Sequence, residues 1–345
     1  MTQKDSSRGL TSVGRNDSTH RFADRYKEWL RTTGEETKQE EDRVETYSEL
    51  PAHDIYGFGN EIKSLQHFLL DQKVYKEFKS LVIVGEHGVG KTALCQKIFN
   101  DDDVKSVYAP RVWVSMPSNE SKEGLDGKIC VLKKILKGLG VEDLMFESIR
   151  REVVEEVSNR REAGEIDGET AKEKELSALL YALHLNLRWK KYMIVIDDVR
   201  EEDNWNEMLQ DGEEKQWGKY LSDGFPKGSG GRVIYTTRDE NLAKKLVAEK
   251  HEIHCLWPLS DSYSVWKIYE AMILKREKEP PRKDKKCIDE LMNKSRGLPL
   301  AARLLAELDP LLLDNEKADQ NGSNDGKTDS VNNLTSEENK TTQPL

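Results

Sequence analysis

The stretch Leu81-Val82-Ile83-Val84-Gly85-Glu86-His87-Gly88-Val89-Gly90-Lys91-Thr92 decides the fold. An apolar run of strand length is followed by G-x-x-x-x-G-K-T, and helix-forming residues continue from Ala93. In that order a buried strand aims a loop, and the loop's backbone N–H groups cradle phosphate oxygens. The start of the helix adds the positive end of its dipole. Lys91 is placed for the β- and γ-phosphates of a nucleotide, and the Thr92 hydroxyl for Mg²⁺. Gly85, Gly88 and Gly90 permit backbone angles and close approach that a Cβ would block. Glu86, His87, Val89 and Ala93 complete the phosphate-binding run. An ordinary Gly-rich turn leaves the Lys-Thr pair at the helix start unexplained.

Composition limits what surrounds this loop. Of 345 residues, 36% are hydrophobic and 34% charged, which supports a core but leaves long solvated stretches. A net charge of −10 argues against a general nucleic-acid binder, because phosphate contacts need a surplus of Lys and Arg. The start, Met1-Thr2-Gln3-Lys4-Asp5, lacks the apolar core of a signal peptide, and no apolar run is long enough for a transmembrane segment. The four cysteines, Cys95, Cys130, Cys255 and Cys287, are scattered without zinc spacing. They suggest a reducing compartment, the cytoplasm or the nucleus.

Working outward, further strands are expected at Arg111–Met116, Tyr192–Ile196, Gly231–Arg238 and His251–Leu256. Helical periods fall at Glu61–Leu70, at 125–139 and from Leu176 to Leu187. Strands alternating with helices imply a parallel sheet with helices on both faces, the α/β architecture of P-loop NTPases. The P-loop domain is assigned to 54–256. Within it 141–172 is a charged insert, partly helical and read as a solvated face. Beyond Trp257 only helical patterns remain, at Tyr263/Trp266/Tyr269/Ile273 and Leu298/Ala301/Ala302/Leu305, so 257–313 reads as a small helical subdomain. Residues 1–53 and 314–345 are polar and expected to be mostly disordered, apart from a short amphipathic helix near 21–31 carrying Phe22, Tyr26 and Leu30.

A phosphate loop needs an acid on a neighbouring strand to hold Mg²⁺. Asp197 ends the apolar strand 192–196 and fills that role, while the Asp198 carboxylate can orient or deprotonate an attacking water. Arg238 ends the next strand. It either reads a γ-phosphate or serves as a surface ion-pair residue. His251 and His254 stand three apart on an expected strand, hence on opposite faces, and form no metal site.

These elements together resemble the nucleotide-binding module of plant disease-resistance proteins, the NB-ARC class of signalling ATPases. The resemblance rests on Gly85–Thr92, Arg111-Val112-Trp113-Val114-Ser115, Tyr192–Val199, Gly228–Arg238 and Gly297-Leu298-Pro299-Leu300-Ala301, and covers about 54–310. It implies ADP or ATP with Mg as cofactors, Lys91 and Thr92 on phosphate and metal, and Asp197 on Mg. It also implies Asp198 at the hydrolytic position, Arg238 as phosphate sensor and Pro299 near the adenine. Ile55-Tyr56-Gly57 resembles the adenine-side entry strand.

This sequence departs from the pattern in several places. Phe58 stands where the family has Arg, Arg200 where it has Trp, and Ala93 where a second Thr is usual. The sequence ends soon after Gly297–Leu300, so the winged-helix subdomain and leucine-rich repeats of the family are expected to be absent. The first reading is an ADP/ATP-binding regulator in plant defence, whose occupancy biases contacts with other defence-signalling proteins, full-length resistance proteins among them. The alternatives are an active ATPase and an interaction scaffold with a vestigial nucleotide site.

Overall fold

The computed structural model describes residues 43–50, 54–71, 77–117, 124–162, 170–203, 218, 220–247, 250–276 and 283–308. The expected helix near 21–31, the expected turn at 163–168 and the C-terminal tail lie outside the described residues.

Strands β1 (Lys79–Val84), β2 (Arg111–Ser115), β3 (Met193–Val199), β4 (Arg232–Thr237) and β5 (Ile253–Cys255) form one sheet in the order β2-β3-β4-β1-β5. Every pairing is parallel. β4 therefore lies between β1 and β3. The loop after β1 and the acids of β3 meet across the carboxyl end of β4, the edge where open parallel sheets bind ligands.

Alternation along the strands feeds two cores. Val82, Val84, Val112, Val114, Ile194, Ile196, Val233 and Tyr235 point to one face. There they meet α4 (Gly124–Gly138), α6 (Ala171–Leu187) and α7 (Glu240–Leu246). Leu81, Ile83, Met193, Val195 and Ile234 point to the other face. They meet α1 (Gly59–Leu70), α2 (Lys91–Phe99) and the helical subdomain. Strands buried on both faces account for the near-continuous apolar runs in their sequences.

Local chemistry sets the helix limits. The Asp101 carboxylate accepts from the backbone N–H groups of Asp103 and Val104, opening α3 (Asp102–Val107). Thr170 and Glu173 form a reciprocal capping box at the start of α6. Asp239, Asp261 and Asp284 cap α7, α8 (Ser262–Lys275) and α9 (Lys285–Ser295) with their carboxylates, as Asp101 caps α3. Pro299 opens α10 (Pro299–Leu308), where its missing N–H costs nothing. α8, α9 and α10 share Trp266, Tyr269, Ile273, Leu291, Ala302 and Ala306 with the core under α1 and α2.

Several details differ from the sequence reading. α3 and α7 are too short for a period to show, and only their Asp caps mark them. The charged insert is more than a solvated face: α5 (Asp143–Glu162) buries Phe146, Val153 and Val157. His251 stands in a 3₁₀ turn (Lys250–Glu252) ahead of β5 rather than on the strand. The boundary drawn at Asp54 is also too late, because Arg43–Ser48 bond to β2, β3 and α2.

Leu180 is fully buried at the centre of α6, in the core against α4 and the sheet. Leu180→Ala should lower unfolding free energy by about 2–5 kcal/mol, measured by urea denaturation. A loss below about 0.5 kcal/mol, the range of surface substitutions, would contradict the packing of α6.

Candidate functional site

The loop between β1 and α2 is built on left-handed glycines, Gly88 at φ +78° and Gly90 at φ +107°. A Cβ on Gly85 would stand 2.5 Å from the Leu256 carbonyl oxygen, and one on Gly88 2.8 Å from the Leu300 Cβ. Gly90 caps α2 without any side-chain hydrogen bond. The first N–H groups of the helix therefore have no capping side chain, and such a helix start favours an anion.

Lys91 is 8% exposed, and its Nζ donates to the carbonyls of Gly85 at 2.8 Å and Glu86 at 2.9 Å. Burial lowers its pKa to about 8, the Arg238 charge adds to that, and Asp198 and Asp197 oppose it.

Asp197 lies on the floor of the site, 1% exposed. Its Oδ1 accepts from Thr236 Oγ1 at 2.6 Å, and its Oδ2 from Thr46 Oγ1 at 2.8 Å. Thr92 Oγ1 donates to both oxygens, at 3.0 and 3.2 Å. Burial raises the Asp197 carboxyl pKa above its ordinary value, while the hydrogen bonds from Thr236, Thr46 and Thr92 pull it down. The Thr92 hydroxyl and the Asp197 carboxylate thus share one point at the foot of α2. A hard cation takes such an oxygen pair together with phosphate oxygens, so the donor set fits Mg²⁺ bound with a nucleotide.

Asp198 lies within a register shift between Ile196 and Val199 and takes φ +62°, a left-handed conformation that Asp tolerates better than most residues. Its backbone N–H donates to Thr236 Oγ1 at 2.8 Å. Its carboxylate faces Arg200 Nη2 at 3.0 Å, Arg238 Nε at 3.6 Å and Arg43 Nε at 3.8 Å. Arg238 therefore pairs with an acid at the edge of the site.

The helical subdomain reaches the loop through α10. The Leu300 N–H donates to the Gly88 carbonyl at 3.2 Å, and the Pro299 ring lies within about 4.0 Å of the Gly90 Cβ position. Phe58 is buried, with its ring edge 3.0 Å from that same position. Ile55 and Tyr56 pack against the cluster that holds Phe58, Val89 and Leu259, and the Tyr56 hydroxyl donates to Asp54. His87 is exposed at the tip of the loop.

Gly85–Ala93, Asp197, Asp198 and Arg238 thus gather at the carboxyl edge of β1, β4 and β3, with Pro299 above the loop. Four partners were missed in the sequence. Thr236 sits inside a stretch already singled out and Arg200 directly after another, and strand alternation gives Thr236 the same inward face as Ile234. Arg43 and Thr46 lie in a polar run that carries no periodic signal. A separate cleft of about 500 Å³, lined by Ser64, His67, Asp71, Glu77, Lys79 and Arg232, opens at the opposite end of the sheet. The buried Arg232 there spends Nη1 on the carbonyls of Glu77, Gly230 and Gly231, which explains it as a structural brace.

Comparison with known proteins shows the family. The NB-ARC domain profile matches residues 59–279. The chain is 82% identical to the probable disease resistance protein At5g45440 of Arabidopsis thaliana, with 100% of both chains aligned. It is 69% identical to the probable disease resistance protein At5g45490 of the same plant, covering 92% of this chain and 94% of that one. Among solved structures, Cdc6p from Pyrobaculum aerophilum aligns over 82% of this chain and 68% of its own, at 15% identity and a TM-score of 0.43. By its matched domain and by its identity to these plant proteins, the chain belongs to the NB-ARC family of disease-resistance proteins.

Proposed function

We propose that this protein binds ADP or ATP with Mg²⁺ at Gly85–Ala93, and that occupancy of the site biases its contacts with other defence-signalling proteins. One observation carries this reading. A bare helix start, an inward Lys91 and the Thr92–Asp197 oxygen pair converge on a loop in which glycine geometry leaves no room for side chains. In this arrangement Lys91 and the N–H groups of α2 hold the phosphates. Thr92 and Asp197 hold the metal, directly or through its waters, and Mg²⁺ offsets charge between the phosphate oxygens. Pro299, Ile55 and Tyr56 take the base side.

Hydrolysis is slow in this reading, because of the surroundings of Asp198. The Asp198 carboxylate is oriented toward Arg43, Arg200 and Arg238, and so is not aimed at an attacking water. The same geometry disfavours a fast ATPase. Phe58 and Ala93, where the family has Arg and Thr, favour the second reading of a scaffold with a weakened site. Among the described residues no helix is long and apolar enough to cross a membrane. The scattered cysteines, none of them in a disulfide, favour a reducing compartment, the cytoplasm first and the nucleus second. Full-length resistance proteins are the partners the family likeness suggests, and the acidic composition gives no reason to expect nucleic acid.

Mass spectrometry of the supernatant from denatured, purified protein should find ADP or ATP. Lys91→Ala should lower ADP affinity by at least tenfold in calorimetry, through loss of the one ammonium aimed at the phosphates. Unchanged affinity would remove the loop from the binding site.

Gly88→Ala tests the loop without touching charge. The methyl must tolerate φ +78° and displace Leu300, whose Cβ lies at 2.8 Å. A left-handed alanine costs about 1–2 kcal/mol, so the variant should melt several degrees lower and bind ADP more weakly. A wild-type melting curve together with wild-type affinity would contradict the contact between α10 and the loop.

A further inference from the structure

We propose that residues Arg43–Ser48 form a strap across the metal side of the nucleotide site, held there by Thr46 on Asp197, and that Mg–nucleotide and the strap compete. The inference rests on the nucleotide reading above and adds its regulation.

The competition follows from access to one buried carboxylate, 1% exposed. Three hydroxyl protons cover its two oxygens: Thr236 on Oδ1, Thr46 on Oδ2, and the single Thr92 proton shared between them. A metal ion, or a water bound to it, reaches the carboxylate where one of these hydroxyls gives way. Thr236 is fully within β4 and also accepts from the Asp198 N–H, and Thr92 is fixed in the first turn of α2. Thr46 belongs to no helix or strand, so it is the donor that yields.

The rest of the segment shows that the strap is seated and not merely adjacent. Arg43 places Nη1 and Nη2 on the Asp203 carboxylate at 2.8 and 2.7 Å, and Nη1 also donates to the Pro117 carbonyl. Its side chain is only 2% exposed. The Thr46 N–H donates to Ser115 Oγ at 3.1 Å, and Trp113 Nε1 donates to Thr46 Oγ1 at 3.3 Å. Gln96 on α2 and Asn100 at its C-cap donate to the carbonyls of Tyr47 and Ser48. The segment therefore joins the ends of β2 and β3 to the helix that carries Lys91 and Thr92. Coupling of this kind is reciprocal: whatever the strap takes from cation affinity, the cation takes from strap attachment.

Hydrogen–deuterium exchange on the full chain, with the peptide covering 43–50 as readout, tests the competition. Saturating Mg–ADP or a Mg-bound non-hydrolysable ATP analogue should raise exchange across that peptide. ADP in EDTA should leave it protected. In parallel, Thr46→Val removes the hydroxyl and keeps the shape. It should raise apparent Mg²⁺ affinity in the presence of ADP on the order of fivefold, the worth of one ordinary hydrogen bond. Thr46→Ser, which keeps the donor, should stay at the wild-type value. Unchanged or lower exchange across 43–50 in a protein that demonstrably binds Mg–ADP overturns the strap and leaves the nucleotide reading standing. Absence of any Mg–ADP binding sinks both. The exchange experiment uses the wild-type protein, so it decides the matter even if a variant fails to fold.

Discussion

The arrangement of the site depends on burying one carboxylate at the end of β3. An ionised Asp197 at 1% exposure has given up its water, and an unpaired charge there would be costly. Three hydroxyls compensate, and each comes from a different part of the chain: Thr236 from β4, Thr92 from α2 and Thr46 from the Arg43–Ser48 segment. The strand order β2-β3-β4-β1-β5 makes this possible by putting β4 between the strand that carries the acid and the strand that feeds the loop. The compensation also leaves the site adjustable. Neutral hydroxyls repay a carboxylate less than a cation does, so the same group that holds the cluster together is the one a divalent ion re-engages.

Asp197 and Asp198 are adjacent in sequence yet face opposite electrostatics. The register shift in β3 and the left-handed angle at Asp198 separate them. Asp197 turns into a pocket of hydroxyls, whereas Asp198 turns outward between Arg43, Arg200 and Arg238. A backbone in that region costs free energy that surrounding bonds must cover, and the Asp198 N–H to Thr236 hydroxyl bond is one of them. Thr236 therefore serves both acids at once, donating to the first and accepting from the backbone of the second. A single methyl-for-hydroxyl change there would unsettle metal side and water side together, although the residue touches neither phosphate nor water in the proposed reading.

The strands were legible because a parallel sheet buried on both faces demands runs such as Leu81–Val84 and Tyr192–Ile196, which little else in a charged chain can produce. The phosphate loop was legible for a different reason: glycine at left-handed positions, followed by Lys and Thr at a helix start, is an unusual conjunction. The short helices α3 and α7 span barely two turns and offer no period, so only Asp101 and Asp239 announce them. Arg43 and Thr46 were illegible in principle. Their role comes from pairing with Asp203 and Asp197, more than 150 positions away, and a polar residue in a polar run looks the same whether it meets water or a buried acid. The charged insert failed for a related reason, since Phe146, Val153 and Val157 are too sparse among charges to outweigh them.

The loop is gripped from two directions, and this gives the helical subdomain a place in the argument. From one side α10 holds the Gly88 carbonyl through the Leu300 N–H and packs Pro299 near Gly90. From the other, residues 43–48 hold α2 through Gln96, Asn100 and Thr92's partner Asp197. Lys91 meanwhile ties the loop to itself through the Gly85 and Glu86 carbonyls. A phosphate that draws the Lys91 ammonium away from those carbonyls loosens the inner tie. A cation that displaces Thr46 loosens the outer one. In the proposed reading the two charges of a Mg–nucleotide act on different fastenings of the same nine-residue helix α2, and the contact through Gly88 links that change to α10. A ligand shifts an equilibrium only by its differential affinity for two states. Here the difference is concrete: which partners Asp197 and Lys91 keep.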